Sequence, residues 1–170
     1  MKKVYLSGPD RLRWNNESLF EEKRRLCESY GFEMMEFPKA LFACKDSLEN
    51  NIALAKFRLK MIEDCDLMIA DTVDFRSYVE PFAETALEIG MAYAYDKKIY
   101  AYMPDIRVCK DRYAGEKIVE KETGNCTDKD GIGFEPGPVN LMLEYSCKIV
   151  EGNLEDALKA AREDFDKEDN

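Results

Sequence analysis

The segment Asp66-Leu-Met-Ile-Ala-Asp71 places four consecutive apolar residues between two acids. An apolar run this short and bounded by charges is typical of a strand that is buried on both faces of a parallel sheet. Four further segments have a similar pattern, namely Val4-Tyr-Leu-Ser-Gly-Pro9 and residues 32–37, 98–103 and 147–150. The sequence therefore predicts five short strands.

Apolar residues recur at helical spacing between these strands. The spacing predicts a helix over residues 17–30, a helix from Ser47 or Asn51 to about Glu63, a helix around Glu88 that Pro81 begins, and a final helix from about Leu154. Strands that alternate with helices predict a parallel sheet covered on both faces. Tyr93 and Tyr95 are expected in the core.

Ligands of such sheets bind outside the carboxyl ends of the strands. Ser7 and Gly8 lie at the end of the first strand, and residues 71–76 follow the third, so Asp71, Phe75 and Arg76 are candidate site residues. Asp71 could instead only end a strand, and Arg76 could be a solvated surface cation. The first strand is not followed by a glycine-rich motif of the dinucleotide-binding or P-loop type, so the sequence does not favour either kind of site.

The composition limits the function further. A chain of 170 residues predicts one domain, 1–170, and its net charge of −10 argues against nucleic-acid polymers and anionic membranes as partners. A small phosphorylated ligand needs only one or two local cations. The sequence contains no histidine, so histidine acid–base chemistry and histidine-ligated metals are excluded.

The six cysteines are scattered and form no C-x-x-C pair, so the pattern does not favour a metal site. Because no signal-like or membrane-spanning apolar run is present, we expect a cytoplasmic protein with reduced thiols. Residues 105–138 contain five glycines and many charges. A connection of this length is usually functional or disordered, and we expect it to form an active-site loop.

Glu88 is the strongest candidate for a catalytic residue. It lies between small and apolar neighbours, in the early part of its predicted helix, where the helix dipole favours an ionised carboxylate. An ionised, partly desolvated carboxylate suits a nucleophile that attacks a sugar. The competing interpretation is a surface glutamate on an amphipathic helix.

Four segments in register resemble the nucleoside 2-deoxyribosyltransferase family. Tyr5-Leu-Ser-Gly-Pro9 is similar to its first-strand motif, and residues 61–71 are similar to its passage from a helix into a strand. Phe75-Arg76, Glu80-Pro81 and Thr85-Ala-Leu-Glu-Ile-Gly90 resemble its F-R-G, E-P-D and G-T-A-F-E-x-G pieces. Val139-Asn-Leu-Met142 resembles its P-x-N-L-M element.

This resemblance implies a flavodoxin-like, Rossmann-like three-layer α/β sandwich with a five-stranded parallel sheet. It implies that Glu88 is the nucleophile, that Tyr5 orients it, and that no metal or organic cofactor is needed. Ser7 and Gly8 would contact the substrate. Asn140 would reach the sugar 5′-hydroxyl from a neighbouring subunit, which implies a homodimer or a higher homo-oligomer, and Met142 would contact the substrate. By pattern alone, Asn140 is equally well explained as a helix cap.

The sequence departs from the family at three positions. Phe82 stands where the family has Asp, Arg58 stands where it has Asp or Asn, and Glu84 replaces the Gly of G-T-A. Three explanations remain open. Glu80 or Glu84 supplies the missing carboxylate, Arg58 binds an acidic or phosphorylated ligand, or the site binds a nucleoside-like ligand without turnover.

The resemblance therefore implies cleavage of the N-glycosidic bond of a deoxynucleoside, with transfer of the sugar to another base or to water. The small-molecule partners would be a nucleoside or nucleotide and a free nucleobase. The alternatives are a nucleoside 5′-monophosphate N-glycosidase and a catalytically impaired nucleoside- or nucleotide-binding module.

Overall fold

Five strands form one sheet in which every neighbouring pair is parallel. The structure, a computed structural model, describes residues 1–13, 17–37, 48–76 and 79–168. The strand order is β2-β1-β3-β4-β7, and a separate antiparallel hairpin contains β5 and β6. In chain order the strands are β1 (Lys2–Ser7), β2 (Phe32–Met34), β3 (Leu67–Asp71), β4 (Lys98–Met103), β5 (Lys117–Val119), β6 (Cys126–Asp128) and β7 (Lys148–Glu151).

Helices cover both faces of this sheet. A 3₁₀ turn, Pro9–Leu12, follows β1. The α-helices are α1 (Glu17–Ser29), α2 (Leu48–Asp64), α3 (Ala83–Ala94), α4 (Cys109–Arg112), α5 (Leu141–Ser146) and α6 (Leu154–Glu168). None of the helices in the described part of the chain combines the length and the apolar character needed to cross a membrane.

Alternate residues of each strand point to opposite faces, which divides the core in two. Val4, Leu67 and Ile69 pack with side chains from α1 and α6. Tyr5 and Met68 pack on the other face with side chains from α2, α3 and α5. This three-layer arrangement confirms the predicted flavodoxin-like fold, and it directs Tyr5 and Ser7 towards α2 and α3.

Most element bounds agree with the sequence prediction, and β4 has the predicted bounds. The strand predicted over residues 32–37 ends at Met34, because β2 is an edge strand that pairs only with β1. Pro81 does not begin α3. Proline restrains its own φ but not the ψ of the next residue, and Phe82 keeps an extended ψ of 129°, so the helix begins at Ala83. Ser47 lies outside the described residues.

Residues 105–138 contain α4 and the β5–β6 hairpin. The side chain of Arg112 attaches this region to the loop that follows β3. It pairs with Asp74 and donates to the carbonyl oxygens of Arg107 and Pro138, and only 4% of it is exposed. The region therefore lies against the carboxyl end of the sheet, although the active-site role predicted for it stays a prediction.

Candidate functional site

The chain reverses its direction of travel across the sheet between β1 and β3. From β1 it passes outward to β2, and it then returns to the other side of β1 to form β3. The crevice at the carboxyl ends of two such strands is the usual ligand site of an open α/β sheet. Here the crevice is a cleft that opens to solvent, and its lining includes Tyr5, Ser7, Gly8, Arg58 and Glu88.

Glu88 lies at this cleft with only 5% of its surface exposed, so the interpretation as a surface glutamate is wrong. The Tyr5 hydroxyl donates to its Oε1 at 2.7 Å, and the Ser7 hydroxyl donates to its Oε2 at 2.5 Å. Arg58 also donates to Oε1. A buried carboxylate is costly unless it is paired and hydrogen-bonded, and these three donors meet that requirement.

Glu88 is the sixth residue of α3, because the helix begins at Ala83. The influence of the helix dipole falls off within the first turn. The predicted stabilisation of this carboxylate by the dipole is therefore weak. Its local partners from β1 and α2 stabilise the charge instead.

Tyr5 is a donor in this network. Burial and the neighbouring Glu88 raise the pKa of Tyr5 well above its ordinary value. The phenol is therefore protonated at neutral pH, and its proton is directed at Glu88 Oε1. The ring packs against Phe37 with centroids 6.3 Å apart, which restrains the orientation of the hydroxyl.

Each of the three guanidinium nitrogens of Arg58 contacts a side chain of the site. Nη2 pairs with Glu88, Nη1 lies 2.6 Å from Glu84 Oε2, and Nε lies 3.3 Å from the Tyr5 hydroxyl. Burial lowers the pKa of Arg58, but Glu88, Tyr5 and Glu84 outweigh it and the pKa is raised. Arg58 is therefore a fixed cation that bridges two carboxylates.

Gly8 allows β1 and β3 to approach each other closely at the cleft. A Cβ atom at Gly8 would lie 2.8 Å from the Cβ of Asp71, a distance that real side chains do not adopt. Asp71 accepts from the backbone N–H of Val73 at 3.0 Å, and burial raises its pKa. Asp71 thus closes the end of β3 next to the cleft, with Tyr102 as a further hydrogen-bond partner.

Phe75 and Phe82 form an aromatic pair with ring centroids 4.9 Å apart. The guanidinium of Arg76 lies 5.0 Å from the centroid of the Phe75 ring, and Arg76 is exposed with a φ of 53°. Phe82 immediately precedes α3, so it occupies the family's aspartate position with an apolar contact. These three residues lie at the loop between β3 and α3 and do not line the cleft around Glu88.

Asn140 and Met142 lie apart from that cleft as well. The Asn140 side chain caps α5 by accepting from the Met142 backbone N–H at 2.9 Å, so the interpretation as a helix cap is confirmed. Its amide nitrogen donates to Glu135 at 3.2 Å. The Met142 side chain is exposed. A role for either residue at the site of a neighbouring subunit stays a prediction.

Asp10 and Lys23 line the cleft and were missed by the sequence analysis. Lys23 Nζ lies 2.6 Å from Asp10 Oδ2, and both side chains are largely buried. Burial would raise the pKa of Asp10, but Lys23 and Arg13 outweigh it and the pKa is lowered. Asp10 follows the Ser7-Gly8-Pro9 turn closely enough to have been suspected. No local pattern marks Lys23, because only the packing of α1 brings it to the cleft.

At this cleft the buried carboxylate of Glu88 is surrounded by hydroxyl and guanidinium donors, whereas the Asp10 carboxylate is paired with Lys23. Among the described residues, no group of three or more Cys, Asp and Glu side chains is placed to hold a metal ion. The Glu88 carboxylate itself is thus the group best placed to form a bond with a ligand in the cleft.

Comparisons with known proteins agree with this architecture. The nucleoside 2-deoxyribosyltransferase family matches residues 4–170. Among solved structures, the chain is similar to a 2-desoxiribosyltransferase from Leishmania mexicana, with 26% identity, coverage of 96% of this chain and 98% of that chain, and a TM-score of 0.74. Curated protein sequences contain no significant match.

Two more distant solved structures are also similar to this chain. A conserved protein from Enterococcus faecalis V583 has 18% identity over 99% of both chains and a TM-score of 0.51, which bears on the fold alone. The CMP N-glycosidase of Clostridium botulinum has 24% identity over 59% of this chain and 71% of that chain. Its TM-score of 0.38 is too low to bear on function.

Proposed function

Because the chain belongs to the nucleoside 2-deoxyribosyltransferase family, we propose that it cleaves the N-glycosidic bond of deoxynucleosides through a covalent glycosyl intermediate on Glu88. The sugar then passes to another base or to water. The observation that supports this proposal best is the hydrogen bonding of Glu88, a buried carboxylate that Tyr5, Ser7 and Arg58 hold at an open cleft.

In the first step, a Glu88 oxygen forms a bond to the anomeric carbon as the bond to the base nitrogen breaks. The departing base keeps the electron pair and takes up a proton from solvent. Oε1 already accepts from two donors and Oε2 from one, so Oε2 has more lone-pair capacity for the attack. Tyr5 and Ser7 act by holding the carboxylate in one orientation.

In the second step, a nitrogen of the acceptor base, or water, attacks the anomeric carbon from the face that the first base left. The bond to Glu88 breaks, and the carboxylate departs with its electron pair. Two inversions give net retention. In this proposal, the substrate is surrounded by the wall of the cleft and the adjoining loop, which contain Gly8, Asp71, Phe75, Arg76, Phe82 and Glu84.

A second candidate function is a nucleoside 5′-monophosphate N-glycosidase. The observation that favours it is the presence of two cations, Lys23 and Arg58, in the lining of the cleft of an acidic chain. A guanidinium or an ammonium binds phosphate well. In this structure both cations are paired with carboxylates, which balances the positive charge and favours the uncharged nucleoside as the first candidate.

The function is tested by incubating the purified protein with deoxynucleosides and with 5′-monophosphates, with and without free adenine. Chromatography of the products separates the functions. Base exchange indicates a transferase, and free base without exchange indicates a hydrolase. Release from monophosphates alone indicates the second function. Intact-mass analysis of a quenched reaction should show a sugar adduct on the peptide that contains Glu88. Absence of base release from every substrate would overturn both functions.

We also propose that the functional form is a homodimer or a higher homo-oligomer. Leu141, Met142 and Tyr145 lie on one face of α5 and are 58%, 71% and 76% exposed. Tyr93 of α3 packs on Tyr145 with ring centroids 6.1 Å apart and is itself 47% exposed, so the expectation of a core position is wrong. A second copy suits this surface, because the family resemblance assigns Asn140, which precedes α5, to a neighbour's site.

Replacing Tyr145 with glutamate should convert the oligomer to a monomer. A charge on this apolar face would have to be desolvated in the interface, whereas in the monomer it stays in water. Light scattering coupled to size exclusion measures the mass. The control is Lys129→Glu, which introduces a glutamate at an exposed position outside α5 and should leave the mass unchanged. Tyr113→Glu would be less suitable, because the Tyr113 ring packs on Phe134. A wild-type protein that is monomeric and fully active would contradict the proposal.

A further inference from the structure

Two of the three departures from the family pattern meet in space. Arg58 on α2 and Glu84 on α3 form an ion pair with Nη1 and Oε2 2.6 Å apart. The family has Asp or Asn and Gly at these positions, and neither combination forms such a pair. The two substitutions are therefore one structural change, in which a cation and the anion that holds it appear together beside Glu88.

Charge explains why each of these residues requires the other. Glu84 and Glu88 are four residues apart on α3, so their side chains lie on one face of the helix, where like charges repel. Arg58 lies between the two carboxylates and pairs with both. Removing Arg58 alone would take away the cation that pairs with both Glu84 and Glu88.

Glu84 and Glu88 differ in how far their side chains are exposed to solvent, so they contact Arg58 from different sides. The Arg58 side chain is 12% exposed and that of Glu88 is 7% exposed, whereas the Glu84 side chain is 40% exposed. Glu84 therefore holds the guanidinium from the solvent side, and the guanidinium in turn holds Glu88 from inside the cleft. The planar fork of arginine suits this geometry, because it presents separate N–H groups to the two carboxylates.

We propose that Arg58 and Glu84 form a coupled positioning pair for Glu88. Arg58 fixes Oε1, which leaves Oε2 to face the sugar, and Glu84 fixes Arg58. When the bond between the sugar and Glu88 breaks in the second step, Arg58 also stabilises the carboxylate that departs. This inference rests on the proposed function, and it adds to it a pair of residues that the family pattern does not contain.

A double-mutant cycle tests the coupling. Arg58→Gln should lower kcat by about 10- to 100-fold with a smaller change in KM, which is the range for a lost hydrogen bond between charged groups. Glu84→Gln should lower kcat in the wild-type background, because Arg58 loses its anchor. In the Arg58→Gln background it should raise kcat, because it removes the repelling charge. If Glu84→Gln changed kcat by the same factor in both backgrounds, the proposed coupling of Arg58 and Glu84 would be overturned.

The same cycle is measured without substrate through the midpoint of thermal unfolding. Glu84→Gln should lower this temperature in the wild-type background and raise it by a few degrees in the Arg58→Gln background. If the wild-type protein releases no base, the proposed function fails. The unfolding cycle alone then decides whether Arg58 and Glu84 are coupled. Identical shifts in both backgrounds would overturn this coupling.

Two controls distinguish positioning from general stability. Lys60 and Glu63 form an exposed ion pair with a separation of 3.1 Å on the same helix, α2, and Lys60→Gln with Glu63→Gln should leave kcat unchanged. Guanidinium at millimolar concentration should restore part of kcat to Arg58→Ala, and sodium chloride at equal ionic strength should not. Lack of specific rescue in a folded Arg58→Ala protein would overturn the positioning role.

Discussion

Glu88→Gln is expected to lower the rate of base release by about 10⁴-fold or more while the protein stays folded. The amide keeps the shape of the side chain. Its oxygen can accept from Tyr5 and Arg58 at the Oε1 position, and its NH2 group can donate to the Ser7 hydroxyl oxygen at the Oε2 position, but it cannot form the glycosyl ester. Loss of a nucleophile removes a step that neighbouring groups cannot replace, so the effect is large. The sequence contains no histidine that could take over.

The measurement is base release under single-turnover conditions, together with intact mass to detect the sugar adduct. Glu63→Gln is the matched control, because Glu63 is a half-exposed glutamate of α2 whose partner is Lys60. Circular dichroism checks that both variants are folded. Turnover of Glu88→Gln at the wild-type rate would remove Glu88 from the role of nucleophile.

The sequence predicted the parts of the fold that depend on local patterns. β4 is apolar and buried from Ile99 to Met103 and lies between two other strands, and its bounds agree with the prediction. The edge strand β2 was predicted too long, because the hydrophobic residues past Met34 pack on the core while only one further backbone hydrogen bond, from Met35 N–H to the Val4 carbonyl, continues the pairing. Met35 and Phe37 are such residues.

The sequence predicted the contact of Glu88 with Tyr5 but not its contact with Arg58. Tyr5 and Glu88 were found because both belong to motifs that resemble the family. The contacts of Arg58 were not found, because Arg58 and Glu88 are 30 residues apart in sequence and meet only where α2 packs beside α3. Residues 105–138 were left without elements, because the exposed strand β5 has no alternation of buried and exposed positions to detect.

Because Arg58 and Glu84 form an ion pair, a variant that tests the substrate preference has to change both residues together. Replacing Phe82 with aspartate and Arg58 with asparagine restores two family positions but leaves Glu84. Three carboxylates, at positions 82, 84 and 88, would then lie without the cation that now separates two of them. Such a protein would bind any substrate poorly for electrostatic reasons alone.

The triple variant Arg58→Asn, Phe82→Asp, Glu84→Gly is therefore the informative one. It should raise kcat/KM for plain deoxynucleosides relative to 5′-monophosphates by about 100-fold. An aspartate at position 82 offers hydrogen bonds that the Phe82 ring, now packed on Phe75, cannot make. The loss of the Arg58 cation and the new carboxylate both disfavour a phosphate dianion, and two effects of about tenfold each, about 1.4 kcal/mol apiece, give about 100-fold.

Competition between a deoxynucleoside and its monophosphate in one reaction measures this ratio directly. Phe82→Asp alone and the pair Arg58→Asn with Glu84→Gly are the two partial controls. We expect Phe82→Asp alone to gain little, because Arg58 would be drawn towards the new carboxylate. The pair Arg58→Asn with Glu84→Gly removes one cation and one anion, so it should leave the net charge of the site unchanged and add no acceptor at position 82. A ratio that stays at the wild-type value in the folded triple variant would show that substrate recognition lies elsewhere in the cleft, with Lys23 and Asp10 as the next positions to change.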